Sequence, residues 1–196
     1  MTDLFSSPVL RVEQPRVPPG VRARYKVYDG RGTLLAKVAE QDVPKLRQAF
    51  RSVLGDGGRR RTVYVENAQG APLLALERDG TRATWVSTPH GGLIGSLRVG
   101  RFQHRFNLLD AAERPVGKLD GNRLARRFRV LDGHGAHVAQ LDKKWKGLAT
   151  EMLTTADRYT VEIFQPLYDP LRVLVAAAPI AIDLMLYESK DWPIGG

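Results

Sequence analysis

No cysteine occurs among the 196 residues, so disulfides and thiolate chemistry are excluded and a reducing interior is the natural setting. Histidine is scarce. His134 and His137 stand three apart in "HGAH", but no third metal ligand accompanies them, and an exposed turn fits them better. Phosphate loops are missing too, because "GDGG" (55–58) and "HGG" (90–92) precede no Gly-Lys-Ser/Thr. The first twenty residues are not expected to act as a signal peptide, since they carry Asp3, no basic residue before Arg11 and no continuous apolar core. Their prolines, Pro8, Pro15, Pro18 and Pro19, predict an extended lead-in over 1–20 that precedes a single domain at 21–192.

Long hydrophobic runs are absent as well. The most apolar stretch, "LRVLVAAAPIAIDLMLY" (171–187), holds only ten consecutive uncharged residues, Val173 to Ile182. A bilayer span needs about 20 apolar residues, and a carboxylate such as Asp183 inside one costs roughly 2.5–3.5 kcal/mol. Yet the stretch is apolar on every side, which marks a helix surrounded by protein. Ala176, Ala177, Ala178 and Ala181 would let walls approach it closely. Asp183 is expected to pair with an arginine of the surrounding wall.

What the chain has in abundance is positive charge and repetition. Formal net charge is +9, with 22 arginines against 8 lysines, which favours polyanionic partners. Four phrases share one pattern, apolar-small-polar-apolar: "LAKV" (35–38), "IGSL" (94–97), "VGKL" (116–119) and "VAQL" (138–141). "LALE" (74–77) reads as a weaker copy. Each follows a strand-like run and a turn, as in "RYKVYDGRG", "TVYVENAQG" and "RFRVLDGHG". Tyr25/Val27, Val63/Val65, Phe106/Leu108 and Phe128/Val130 fall two apart and so share a strand face. Five successive hairpins and a last strand, "RYTVEIF", follow, and such regular spacing predicts an antiparallel meander closing into a barrel. The apolar helix could fill that barrel. Between the first two phrases lies "EQDVPKLRQAFRSVLGDGG", where Val43, Leu46, Phe50 and Val53 share a helical face, Asp42 can cap and Gly55 ends the helix.

The run 143–188, with its "KKWKGL" phrase, its "ADRY" turn and its "IDLMLYE" end, resembles the C-terminal signature of phospholipid scramblases. The hairpins upstream are similar to that family and to its relatives, the LURP-one-related proteins and Tubby C-terminal domains. The resemblance covers Val21 to Glu188. It implies a β-rich fold, a closed antiparallel barrel of about twelve strands around a buried C-terminal hydrophobic helix. The chain departs from animal scramblases in two ways. Where their calcium loop places two acids around the alanine of the turn, Thr155 stands first and only Asp157 is acidic. Calcium favours several carboxylate oxygens, so little calcium response is expected. The cysteines that carry lipid in that family are missing.

Three basic clusters are the candidate lipid-binding residues: Arg59, Arg60 and Arg61; Arg126, Arg127 and Arg129; and Lys143, Lys144 and Lys146 around Trp145. Arg127 and Arg129 alternate with Phe128 and Val130, so they are expected to face outward. Trp145 between lysines suits a headgroup interface, which makes the lysines the preferred anchors. No catalytic constellation is present, and no cofactor or metal is expected. The composition and the resemblance together lead to a non-enzymatic module at an anionic phospholipid surface, without a transmembrane span. The expected location is cytoplasmic, with the inner face of the plasma membrane as the candidate surface. Two alternatives stand beside it: nucleic-acid binding, which the same charge would serve, and a scramblase with its helix in the bilayer.

Overall fold

The computed structural model describes residues 3–14, 24–39, 60–80, 82–102, 104–144 and 157–186. Among them the strands are β1 (Val9–Gln14), β2 (Arg24–Asp29), β3 (Leu34–Ala39), β4 (Arg60–Asn67), β5 (Pro72–Asp79), β6 (Ala83–Ser87), β7 (Leu93–Val99), β8 (Arg105–Asp110), β9 (Pro115–Gly121), β10 (Arg127–Asp132), β11 (His137–Lys144) and β12 (Asp157–Ile163). Each pairs antiparallel with its neighbours in sequence, and β1 pairs with β12, which closes a twelve-stranded barrel. Closure pairs both edges of every strand among the described residues. The barrel and its buried helix are as the sequence and the resemblance implied.

The lead-in expected over 1–20 is corrected in part. Val9–Gln14 is extended, but it is a barrel strand, with Leu10 and Val12 buried and paired to both β2 and β12. Pro8 immediately precedes the strand, and a proline just outside a strand removes no ladder hydrogen bond. The helix expected within 40–58 lies outside the described residues.

Five hairpin turns at one end share a single construction. Asp29, Asn67, Asp110 and Asp132 each use Oδ1 to accept two backbone N–H groups, from the second and fourth residues onward, at 2.8–3.0 Å. Thr88 accepts from Gly92 N–H at 3.0 Å. The fourth residue of each turn is left-handed: Gly32, Gly70, Gly91 and Gly135, and in one case Glu113 at φ 61°. Immediately before each turn the pairing slips by one residue, at Val27/Tyr28, Val65/Glu66, Val86/Ser87, Leu108/Leu109 and Val130/Leu131. Such bulges tighten local twist and help a sheet curl shut.

The repeated small residue now has a cause. Ala36, Gly95, Gly117 and Ala139 all point inward, toward α1 (Leu171–Leu186). A methyl on Gly95 would lie 2.2 Å from the Leu109 carbonyl oxygen and 3.2 Å from Leu174; on Gly117 it would lie 2.6 Å from the Leu131 carbonyl oxygen and 3.0 Å from Leu171. The copy at 74–77 is displaced by one position. Leu74 and Leu76 face inward opposite Val65 and Val63, whereas Ala75 lies outward opposite Tyr64.

Helix α1 enters from the turn end and is buried continuously from Val173 to Met185. Sixteen residues span about 24 Å. At its far end the Arg78 guanidinium donates to the Leu184 carbonyl at 2.6 Å, supplying a cation to the negative pole of the helix.

Candidate functional site

Among the described residues, a charged knot lies in the barrel interior. Ala139, Leu141 and Lys143 follow the strand period of two, so the Lys143 ammonium projects inward among apolar residues. It lies 3.2 Å from Asp183 Oδ1 and 4.9 Å from the centre of the Tyr159 ring. Tyr159 donates to the same oxygen at 2.7 Å, and Tyr25 donates to Oδ2 at 2.8 Å. Both charges are sealed from water, with side chains 0% and 1% exposed. Four elements, β2, β11, β12 and α1, are thereby tied at one carboxylate. This fixes the rotation of α1; it offers no opening to a ligand.

Two expectations are corrected here. Asp183 pairs with a lysine, and the barrel arginine near the helix end, Arg78, serves the backbone carbonyl instead. Lys143 is not a surface anchor, because a buried ammonium bonded to a carboxylate cannot reach a headgroup. Lys144 next to it is exposed. Trp145, Lys146 and Arg59 lie outside the described residues, as does Thr155. Arg60 and Arg61 begin β4, opposite Asp79 and Arg78.

The arginines of β10 do face outward, alternating with buried Phe128 and Val130. Each meets an acid: Arg127 lies 3.4 Å from Asp142, and Arg129 lies 3.0 Å from Asp120, which Arg105 also approaches at 3.0 Å. Burial disfavours the Asp120 carboxylate, but the Arg129 hydrogen bond and the charges of Arg105 and Arg129 outweigh it and hold its pKa below the usual value. Beside this triad lies a groove of about 320 Å³ lined by Arg101, Arg105, Asn107, Lys118 and Asp120. Arg126 is exposed on the connection that leads into β10.

Topology concentrates the charge at one end. By strand order the connections through 80–82, 100–104 and 122–126 belong to the end opposite the five hairpin turns, and they carry Arg82, Arg101, Arg123 and Arg126, with no carboxylate. Lys144 and the start of β4, with Arg60 and Arg61, lie at the same end. At the turn end, Arg31 and Arg114 are offset by the capping carboxylates, by Glu113 and by Asp169, which binds Arg172 at 2.9 Å. Sequence reading found the clusters but not their convergence, because strand connectivity alone decides which loops share an end. It also missed Phe102 and Leu124, large apolar side chains 49% and 67% exposed on two basic-end loops. The signal was available, since each follows an arginine within a hairpin connection.

His134 and His137 are both exposed, and the His137 ring stands edge-on to Phe164 at 5.1 Å. Among the described residues no three histidine or acidic side chains come together, and no helix is long and apolar enough to cross a membrane.

A solved X-ray structure of a protein from Arabidopsis thaliana shares the fold, with a TM-score of 0.54 at 17% identity, covering 95% of this chain and 94% of that one. A family model described as Scramblase matches residues 21–189, a span running from just before β2 to beyond the end of α1. The chain belongs to the scramblase family.

Proposed function

We propose that the protein is a non-enzymatic module that associates with anionic phospholipid at a membrane surface, through the basic end of its barrel. The observation that carries this reading is the one-sided distribution of charge. Four exposed arginines stand on three strand connections whose sequence holds no carboxylate, next to a groove edged by Arg101, Arg105 and Lys118. Each Lys or Arg near an anionic leaflet contributes about 1 kcal/mol, falling off within a Debye length of roughly 8 Å at physiological ionic strength. Four to six such groups acting together suffice for reversible, salt-sensitive association. Scramblase-family membership supports a lipid partner over other polyanions. The helix supports peripheral rather than spanning attachment: moving α1 into a bilayer would strip Asp183 of Lys143, Tyr25 and Tyr159.

Flotation with phosphatidylcholine vesicles of graded phosphatidylglycerol content, beside a titration with duplex DNA, tests this. Vesicle binding should rise with lipid charge and weaken with added salt. Tight, salt-sensitive DNA binding by a protein that binds no vesicle would replace lipid with nucleic acid as the partner.

A further inference from the structure

We infer that the β7–β8 and β9–β10 connections are a pair of membrane-entering tips, with Phe102 and Leu124 seated at the headgroup–acyl boundary and Arg101 and Arg123 at phosphate level. This deepens the reading above and rests on it.

The two tips are neighbours. Strands β8 and β9 pair directly, Arg105 opposite Asp120, and Gly121 N–H donates to the His104 carbonyl at 2.9 Å, so the two connections leave the barrel side by side. Hydrogen bonds tie the described residues of both. In the second, Asn122 Oδ1 accepts from Arg126 N–H at 2.9 Å, Ala125 N–H donates to the Asn122 carbonyl at 2.8 Å, and Ala125 adopts a left-handed φ of 50°. Leu124 is thereby held at the crest of the turn, pointing away from the barrel core. In the first, Arg105 N–H donates to the Phe102 carbonyl at 2.9 Å, and Gly100 N–H to the Arg105 carbonyl at 2.7 Å. The Phe102 ring stacks on His104 at 5.7 Å, and the Arg105 guanidinium lies 5.4 Å from the ring centre. A fixed ring loses less conformational entropy on insertion than a mobile one.

Single exposed apolar residues are common on soluble proteins. Here two of the four large exposed ones among the described residues crown adjacent loops, and each follows an arginine. An exposed cation beside an exposed apolar side chain at each tip suits a leaflet, where phosphates and acyl chains lie within a side chain's reach of each other. The charge of the surface selects the occupant: an acidic protein face would satisfy the arginines but would offer no apolar layer below them. The other two exposed residues, Phe164 and Tyr168, sit at the opposite end near Asp169 and provide an internal control.

Because the chain has no cysteine, one introduced thiol is unique. Phe102→Cys, Leu124→Cys and Tyr168→Cys, each labelled with the polarity-sensitive fluorophore NBD, are mixed with phosphatidylcholine/phosphatidylglycerol vesicles. NBD at 102 and 124 should shift to the blue, brighten several-fold and be quenched by nitroxide placed high on the acyl chain, while NBD at 168 stays in water. In unlabelled protein, Phe102→Ala and Leu124→Ala should each weaken vesicle binding roughly tenfold, with the salt dependence kept. Vesicle binding with all three labels in water overturns the insertion and leaves the surface reading intact. Failure of the unmodified protein to bind vesicles overturns the surface reading itself, and the insertion with it.

Discussion

Lys143 shows how far a single side chain can mislead when its neighbours are read as a cluster. In "KKWK" it looks like one of three equivalent headgroup anchors; in the barrel it is sealed against Asp183. The warning was in the strand period, since 139, 141 and 143 share a face whose first two members are apolar. Breaking a buried pair from one side leaves an uncompensated charge, so Lys143→Met should cost about 3–5 kcal/mol in urea unfolding. Adding Asp183→Leu should restore much of that loss. A Lys143→Met variant as stable as the parent would contradict the pairing. On the surface the same substitution logic gives little: removing Arg127 from its exposed partner Asp142 should change stability by roughly 0–1 kcal/mol.

At the scale of the element, the repeated hairpin was the most legible part of the sequence, since turn residues and alternating strands both have local causes. Its offset copy and its first strand were less so. Ala75 mimics the small position one residue late, and β1 is bracketed by prolines that usually mark linkers. The inward glycines give a sharp prediction. Gly95→Ala drives a methyl into the Leu109 carbonyl and should destabilise by about 1–3 kcal/mol or more, as overpacking does. Gly135→Ala meets no atom within 4 Å but places a Cβ on a left-handed turn, at a cost of roughly 1–2 kcal/mol. Thermal unfolding of the two variants separates clash from strain.

The turn carboxylates add a pH dependence. The Thr33 N–H holds Asp29 below its ordinary pKa, and the Arg114 N–H does the same for Asp110. A depressed carboxylate contributes stability that is fully present above its unfolded pKa of about 3.9 and is lost as pH falls through the lower folded value. Asp29→Asn with Asp110→Asn keeps the turn acceptor, as Asn67 does naturally. The pair should therefore flatten the fall in melting temperature as pH drops below about 4. An unchanged acid slope would place the titrating groups elsewhere.

Over the whole molecule, two asymmetries matter: an apolar helix enclosed by the barrel, and positive charge gathered at one end of it. The first could be read from the sequence, because an all-round apolar helix too short to span a bilayer has few other places to go. Ala177→Trp or Ala181→Trp should accordingly overpack the interior by about 1–3 kcal/mol. The second could not, since residues as distant as Arg60 and Arg123 share an end only once strand order is known. Whether that end is the lipid-facing one is most directly measured with two charge-matched variants in the same flotation assay. Arg101→Glu with Arg123→Glu reverses two charges at the basic end; Arg31→Glu with Arg114→Glu reverses two at the turn end. The first pair should lose binding to phosphatidylglycerol-containing vesicles while the second retains it. Equal losses in both variants, at equal net charge, would contradict a localised docking surface.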